Sequence, residues 1–557
     1  MPTVIVNVED VDALLGTKIS LEKLEYVLPL IKCEVKAIEG NEITLETNAD
    51  RVDMLSSEGV VRALRHFLDI GKGYSGYKTT LSGITVKVDA SVKGVRPFIA
   101  CAVLRNVALT DEFLRQLLQL QEKLHDTLCR RRRKGSIGIY DLEKVESPFR
   151  YSAVKPSEIR FTPLECKARM TGVEILEKTD KGREYAHIIS NFDRYPLLSD
   201  SKGTVLSMPP IINSEETRVT PKSKNLFVDV TGLNDSLVND AVNIIASNVA
   251  ERGTRIESVK VQYPNRTVET GRLKAKSASL SLEFCREVSG IDFTLKTLHQ
   301  SLRRTGYGVK ETGRNKLSLS IPPYRADIIH SVDLVEDAII GYGYDKIEHA
   351  LPRTLTRGKE LAKSKLMRKI RDLMIGFGFQ EILSYIMTDR ESQTSKVNLT
   401  NTKLIEIANP LTSEFAVFRH SLLPGLIRFL SANAHVDYPQ RIFECGHVIY
   451  EKLETETSTN AELRVAGAIC DAKVSYESAQ SVVYSFLRNM ALKTWRVLPT
   501  VHPTFIDGRV AKLIGDDGES GIIGEIHPEV LNRFKIPNPA VAFEINVDGL
   551  FRFALTQ

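Results

Sequence analysis

The run Ile321-Pro322-Pro323-Tyr324-Arg325-Ala326-Asp327-Ile328-Ile329-His330-Ser331-Val332-Asp333-Leu334-Val335-Glu336-Asp337 passes from an extended segment through a double proline into a helix. Ser331 is the predicted helix cap. On the helix behind it Asp333, Glu336 and Asp337 stand at i, i+3 and i+4 and share a face. Val332, Val335 and Ile339 form the predicted apolar stripe opposite. Asp327, just ahead of the helix, is placed to fold back and join the acids. Four crowded carboxylates repel and must be neutralised. A hard divalent cation with oxygen ligands, Mg²⁺ before Ca²⁺, would do so. An acidic, solvated helix start favoured by the helix dipole is the other reading of the same residues.

The same pattern occurs earlier in the chain, at an offset of 274 residues without gaps. Gly16, Leu21 and Leu24 fall on Gly290, Leu295 and Leu298, and Val35-Lys36 falls on Val309-Lys310. Asn41, Leu45, Arg51 and Asp53 fall on Asn315, Leu319, Arg325 and Asp327. Each copy is predicted to form a helix, a short hairpin and a second helix. Of the four acids only Asp53 recurs; Gly59, Arg62 and Ala63 occupy the other positions, so the first module is expected to be metal-free.

With 557 residues, 42% of them apolar, the chain has room for roughly four domains. No apolar run reaches the ~18 residues of a membrane helix, and Met1-Pro2-Thr3-Val4-Ile5-Val6-Asn7 is not a signal peptide. Seven scattered cysteines without a CxxC pair argue for reduced thiols in a cytoplasmic protein and against structural zinc. A net charge of +5 is too small to imply nucleic-acid binding. The run Arg130-Arg131-Arg132-Arg133-Lys134 reads either as a phosphate contact or as a solvated basic turn.

Between the modules, residues from about 85 to 270 alternate between apolar and polar in several segments, as an α+β domain does. In the predicted strand Leu226–Gly232, Leu226, Val228 and Val230 point one way. Asp229 and Thr231 share the other face, near the Pro209-Pro210 loop with Asn213, Ser214 and Glu215. That group reads as a pocket for a hydroxyl and a water aimed at an ester, or as an exposed polar strand face. No Ser-His-Asp or Cys-His constellation is visible, which favours positioned water over a covalent intermediate.

Residues Ile321 to Ile347, with acids at Asp327, Asp333, Glu336 and Asp337 and then Gly341-Tyr342-Gly343-Tyr344, resemble the metal-binding module of phenylalanyl-tRNA synthetase β subunits. Leu124-His125, the arginine run, Ile137 to Leu142 and Phe161-Thr162-Pro163-Leu164 resemble the entry to that family's editing domain, and Ser207 to Ser214 followed by Leu226 to Gly232 resembles its core in archaeal and eukaryotic cytosolic members. Ala408-Asn409-Pro410-Leu411, Phe418 to Leu426, Phe443-Glu444-Cys445-Gly446 and Gly524-Glu525-Ile526-His527-Pro528 resemble its synthetase-like domain. The resemblance implies Mg²⁺ on the four acids, near the catalytic subunit. It implies an α-subunit partner in an (αβ)₂ heterotetramer, tRNA(Phe) as substrate, and ATP bound on the α subunit. It also implies editing of Tyr-tRNA(Phe), for which the group Asp229, Thr231, Asn213 and Ser214 read from the strand pattern is the candidate site. The chain starts at the first repeat and stops at Gln557, as in the shorter archaeal and eukaryotic form, so anticodon contact by this subunit is not expected.

The expected fold is α+β and multidomain. It comprises a metal-free module over 1–80, an editing domain over 81–272, a Mg-binding module over 273–352 and a degenerate class II synthetase-like antiparallel sheet domain over 353–557. In the last, Arg419 is followed by His420 and Ser421 rather than by the glutamate that accompanies an α-phosphate arginine, and no glycine-rich second ATP arginine follows. GxxxxGK[ST] is absent too. Arg419 therefore reads as structural, and the domain as one that serves assembly. A free-standing editing hydrolase and a nucleic-acid-binding regulatory protein are the competing functions; neither gives the long last domain a role.

Overall fold

The computed structural model describes residues 2–70, 74–352, 356–492, 494–515 and 518–550. The predicted start of the last domain, at 353, and its end, at 557, lie outside them. The chain forms two compact units, Met1–Leu351 and Pro352–Gln557.

The duplication is visible in the first unit. Helices Val8–Leu15 and Leu21–Leu30 recur as Leu282–Ser289 and Leu295–Arg304, each displaced by 274 residues. Gly16 and Gly290 end the first helix of each pair with left-handed backbone, φ 78° and 70°, which glycine takes without a Cβ penalty. Each module also has a strand ahead of its helices, Thr3–Asn7 and Lys276–Ser281, pairing with the hairpin's second strand to make three-stranded sheets of the same order. These leading strands are not among the elements expected from sequence, because five or six residues carry too little periodicity to register.

The helix after the hairpin is Ser57–Phe67 in one copy and Ser331–Tyr342 in the other. In the second copy His330, not Ser331, is the N-cap: its ring accepts the Val332 N–H at 3.2 Å, while Asp333 accepts the N–H groups of Ile329 and His330 at 2.7 Å each. The apolar stripe also differs from expectation. Leu334, Val335 and Ala338 are buried together with Asp337, whereas Val332 is 43% exposed. A shift of one helical position is enough to bring an acid to the inner face.

Residues 79–270 build a ten-stranded sheet. One end of it is Arg255–Gln262, Phe98–Arg105, Leu226–Gly232 and the edge strand Gly135–Asp141, paired antiparallel in that order. Leu226, Val228 and Val230 pack beneath helices Asp111–Asp126 and Asp235–Ala250 in a core continuous with the first module. Arg252 pins that module down, holding both oxygens of Asp10 at 2.8–2.9 Å and Glu58 at 2.5 Å. Phe227 faces a second core with Tyr140, Phe149 and Tyr151.

The second unit is a seven-stranded sheet, antiparallel but for the edge pair Gln380–Glu381 with Gln440–Glu451. Helices Ala362–Gly376 and Tyr476–Asn489 cover one face through Leu366, Ile370, Val483 and Phe486. Helix Leu423–Ala432 covers the other. Arg419 is buried: it donates to Glu444 at 2.5 Å, to Ser384 Oγ at 2.9 Å and to the His447 carbonyl at 2.8 Å. Its guanidinium is committed to the fold.

Candidate functional site

A cleft of about 380 Å³ opens against the sheet between helix Asp111–Asp126, the loop after the strand Val205–Met208, and the strand Gly135–Asp141. Leu114, Leu117, Leu118 and Ile139 give it apolar walls, and Asp229 lies at its polar end. The strand face is not the exposed one that sequence left open: Asp229 is 1% and Thr231 0% exposed.

Strand pairing explains the space around Asp229. Its neighbours across the ladder are Gly138 and Cys101, both small. A Cβ on Gly138 would stand 1.9 Å from the Tyr140 hydroxyl and 2.4 Å from Asp229 Oδ1. The gap admits Tyr140, whose phenol donates to Asp229 Oδ1 at 2.6 Å and lies 2.8 Å from Ser207 Oγ. Burial pushes the Asp229 carboxyl up to about 7, with the Tyr140 hydrogen bond and the Arg96 charge pulling the other way. Burial of this kind keeps a substantial share of the carboxyl neutral near pH 7.

Thr231 stands one layer behind and does not line the cleft. Its hydroxyl accepts from Arg96 Nε at 3.1 Å and lies 2.9 Å from Ser136 Oγ, which does line it. Arg96 is buried and also donates to the carbonyls of Arg132, Arg133 and Thr231. Asn213 and Ser214 line the cleft as expected of the loop, though the Ser214 hydroxyl donates to Glu216.

The arginine run is a turn, and only part of it is solvated. Arg130, Arg131 and Arg132 take left-handed backbone, φ 51°, 51° and 62°, which buries Arg132 and leaves the other two outside. Arg132 donates to the carbonyls of Ile211 (2.9 Å) and Pro210 (3.3 Å), fixing the loop that carries Asn213. His125 Nε2 accepts the Ile137 N–H at 2.8 Å, so its proton sits on Nδ1, 3.4 Å from Glu122. Burial lowers its pKa and the ring is neutral.

Sequence reasoning missed Tyr140, Ser136, Ser207 and Arg96. Alternation along Gly135–Asp141 does put Ser136, Gly138 and Tyr140 on one face. Nothing in the sequence says that this strand lies beside Leu226–Gly232.

The four acids of the second module do not converge. Asp327 and Asp337 both take the Arg325 guanidinium, at 2.7 and 2.5 Å to Nη2, and the Tyr307 hydroxyl also donates to Asp337. Burial works against the charged form of Asp327, yet Arg325 beside it holds the carboxyl below its usual range. Asp333 is occupied by helix capping, and Glu336 pairs with Lys32 of the first module at 2.8 Å. No group of three or more His, Cys, Asp or Glu side chains placed to hold a metal ion occurs among the described residues. The donors as they stand do not fit a metal; an arginine, a lysine and backbone N–H groups neutralise them instead.

The first module mirrors this: Arg51 grips Asp53 at 2.8 and 3.0 Å, and Arg62, in the place of Glu336, reaches Asp53 and covers the Tyr324 ring at 3.6 Å. The Arg–Asp pair recurs in both copies of the duplication, and the two pairs lie within electrostatic reach of each other.

Set beside known proteins, the chain is similar to one family along its whole length. The tRNA synthetase B5 domain model matches residues 278–344, and the model of the phenylalanyl tRNA synthetase beta chain CLM domain matches 347–547. The phenylalanine–tRNA ligase beta subunit of Pyrococcus furiosus is 41% identical over 99% of this chain and 100% of its own length. That of Archaeoglobus fulgidus is 37% identical over 99% of both. The crystal structure of an N-terminal fragment of the Pyrococcus horikoshii phenylalanyl-tRNA synthetase beta subunit aligns with a TM-score of 0.60 at 40% identity, covering 61% of this chain and 99% of the fragment.

Proposed function

This chain belongs to the phenylalanine–tRNA ligase β subunits, and from that we propose that it supports ATP-dependent charging of tRNA(Phe) on a partner α subunit while its own cleft hydrolyses Tyr-tRNA(Phe). The observation that carries the editing reading is the phenol–carboxyl contact of Tyr140 and Asp229 at the end of an apolar cleft.

Phenylalanine and tyrosine differ by one hydroxyl, and an apolar pocket rejects an added hydroxyl by only ~10²-fold in analogous sites. A second pocket that needs the hydroxyl supplies the rest. Here the aromatic ring enters between Leu117, Leu118 and Ile139 and its phenol turns to Asp229. Thr231 acts through Ser136 and Arg96, and so positions rather than touches. Asn213 and the loop held by Arg132 face the ester end, where a bound water attacks the carbonyl carbon. The ester C–O bond breaks, the ribose oxygen leaves with a proton, and free tyrosine is released. The cleft's serines are bonded to Thr231, Tyr140 and Glu216, none to His125, which supports water as nucleophile.

Activation belongs to the α subunit, since Arg419 is committed to Glu444. An (αβ)₂ assembly in the cytoplasm is part of the same proposal; among the described residues no helix is long and apolar enough to cross a membrane. The Mg²⁺ reading of Asp327, Asp333, Glu336 and Asp337 stays a proposal in one form: a site completed by the α subunit, at which Asp333 and Glu336 would exchange their present helix-cap and Lys32 contacts for the ion. No step of the reaction runs through it.

The test is deacylation of preformed Tyr-tRNA(Phe) by the assembled complex. Asp229→Ala should lose most of the activity and Thr231→Ala a factor of about five, near 1 kcal/mol for one net hydrogen bond, with phenylalanine charging intact. Parent-like rates for both, in folded protein, would remove the cleft from editing.

A further inference from the structure

A second cleft, of about 800 Å³, lies in the first unit and is lined by cations from three separate segments. Arg272 and Lys274 come from the connection between strands Thr267–Thr270 and Lys276–Ser281. Arg303 on helix Leu295–Arg304, with the imidazole of His299 one turn before it, supplies the second, and Lys310 on the strand Gly308–Glu311 the third. No carboxylate is among the described residues that line it. Arg303 meets Asp69 at 3.0 Å, outside the lining, and Arg272 only approaches Glu269, at 3.6 Å. Lys274 and Lys310 are exposed and take part in no ion pair found among the described residues.

In a chain whose 75 basic residues face 70 acidic ones, a wide concave surface of one sign stands out from the nearly balanced whole and suits a polyanion. A single small anion needs a tight nest of donors. A broad cleft with long, unpaired side chains on several walls fits a chain of phosphates, each neutralised by one flexible cation. We propose that this cleft, between the editing domain and the second repeat module, docks the ribose-phosphate backbone of the tRNA. The inference rests on the tRNA substrate of the preceding reading and adds the surface that holds it. The sequence alone does not reveal it, because Arg272, Lys274, His299, Arg303 and Lys310 are scattered over residues 272–310 and become one surface only when the second module closes on the sheet.

The experiment uses the complex with its α subunit and a tRNA(Phe) transcript, with binding followed by fluorescence anisotropy across a KCl series. Lys274→Glu/Lys310→Glu should weaken binding by about tenfold or more at low salt and flatten the slope of log K against log salt by about 1.4–1.8, as for two lost phosphate contacts. Lys274→Gln/Lys310→Gln, gentler on the fold, should flatten the slope likewise. Lys403→Glu/Lys452→Glu, the same charge change on the second unit, should keep the parent slope. Equal affinity and slope in parent and cleft variants would overturn the proposal, as would an equal loss in the control pair. Loss of the α subunit from the purified complex, with RNA binding per assembled complex unchanged, would also overturn it and make the cleft a subunit contact. A parent complex that binds no tRNA at all would instead bring down the substrate reading beneath it.

Discussion

Replacing Asp229 by Asn removes a buried group that titrates near neutrality and leaves its shape and its Tyr140 hydrogen bond in place. The carboxyl rises from its ordinary 3.8 to about 7 on folding, burial being the main cause. Between those values the folded protein holds a proton that the unfolded chain has lost, so stability falls as pH rises through the window and levels off above it. About three pKa units at 1.36 kcal/mol each put the ceiling near 4 kcal/mol. Unfolding of the whole chain is not two-state for two units. The assay is therefore hydrogen exchange at the amides of Leu226–Gly232, corrected for intrinsic rates, in parent and Asp229→Asn at pH 5 and pH 8. The parent strand should lose opening free energy between the two pH values relative to the variant, by one to several kcal/mol. Parallel pH dependence in the two proteins would mean that the carboxyl is ionised throughout, and the reasoning from burial would fail.

Gly138→Ala should force the Tyr140 hydroxyl off Asp229, at a cost of about 1–3 kcal/mol, and lower Tyr-tRNA(Phe) hydrolysis at least tenfold while phenylalanine charging stays at the parent rate. Arg325→Met should cost about 3–5 kcal/mol because it strands two buried carboxylates, read as a lower melting temperature of the first unit. EDTA should leave the melting of the isolated chain unchanged; a Mg²⁺-dependent rise would show that the four acids hold the ion without the α subunit. The chain free of α subunit should give no phenylalanine-dependent pyrophosphate exchange, and any such exchange would return Arg419 to a role in ATP binding.

Much of the architecture was legible from the sequence because it rests on local, repeated signals. The 274-residue repeat located both modules, and αL glycines 16 and 290 with the Arg–Asp pairs 51/53 and 325/327 kept their places in three dimensions. Alternation in Leu226–Gly232 put Asp229 and Thr231 on the same side, because side chains on a strand alternate whatever it packs against. What alternation cannot tell is depth. Whether that side met water or a second core depended on Tyr140 from the neighbouring strand, and on Arg96 from a loop far off in sequence. The acids of 327–337 show the same limit. Their spacing on a helix was readable, but their fate was set by Arg325 folding back between two of them and by Lys32, about three hundred residues upstream, reaching a third. Charge compensation acts through space and not along the chain, so only the tertiary structure decided which cation each carboxylate would meet.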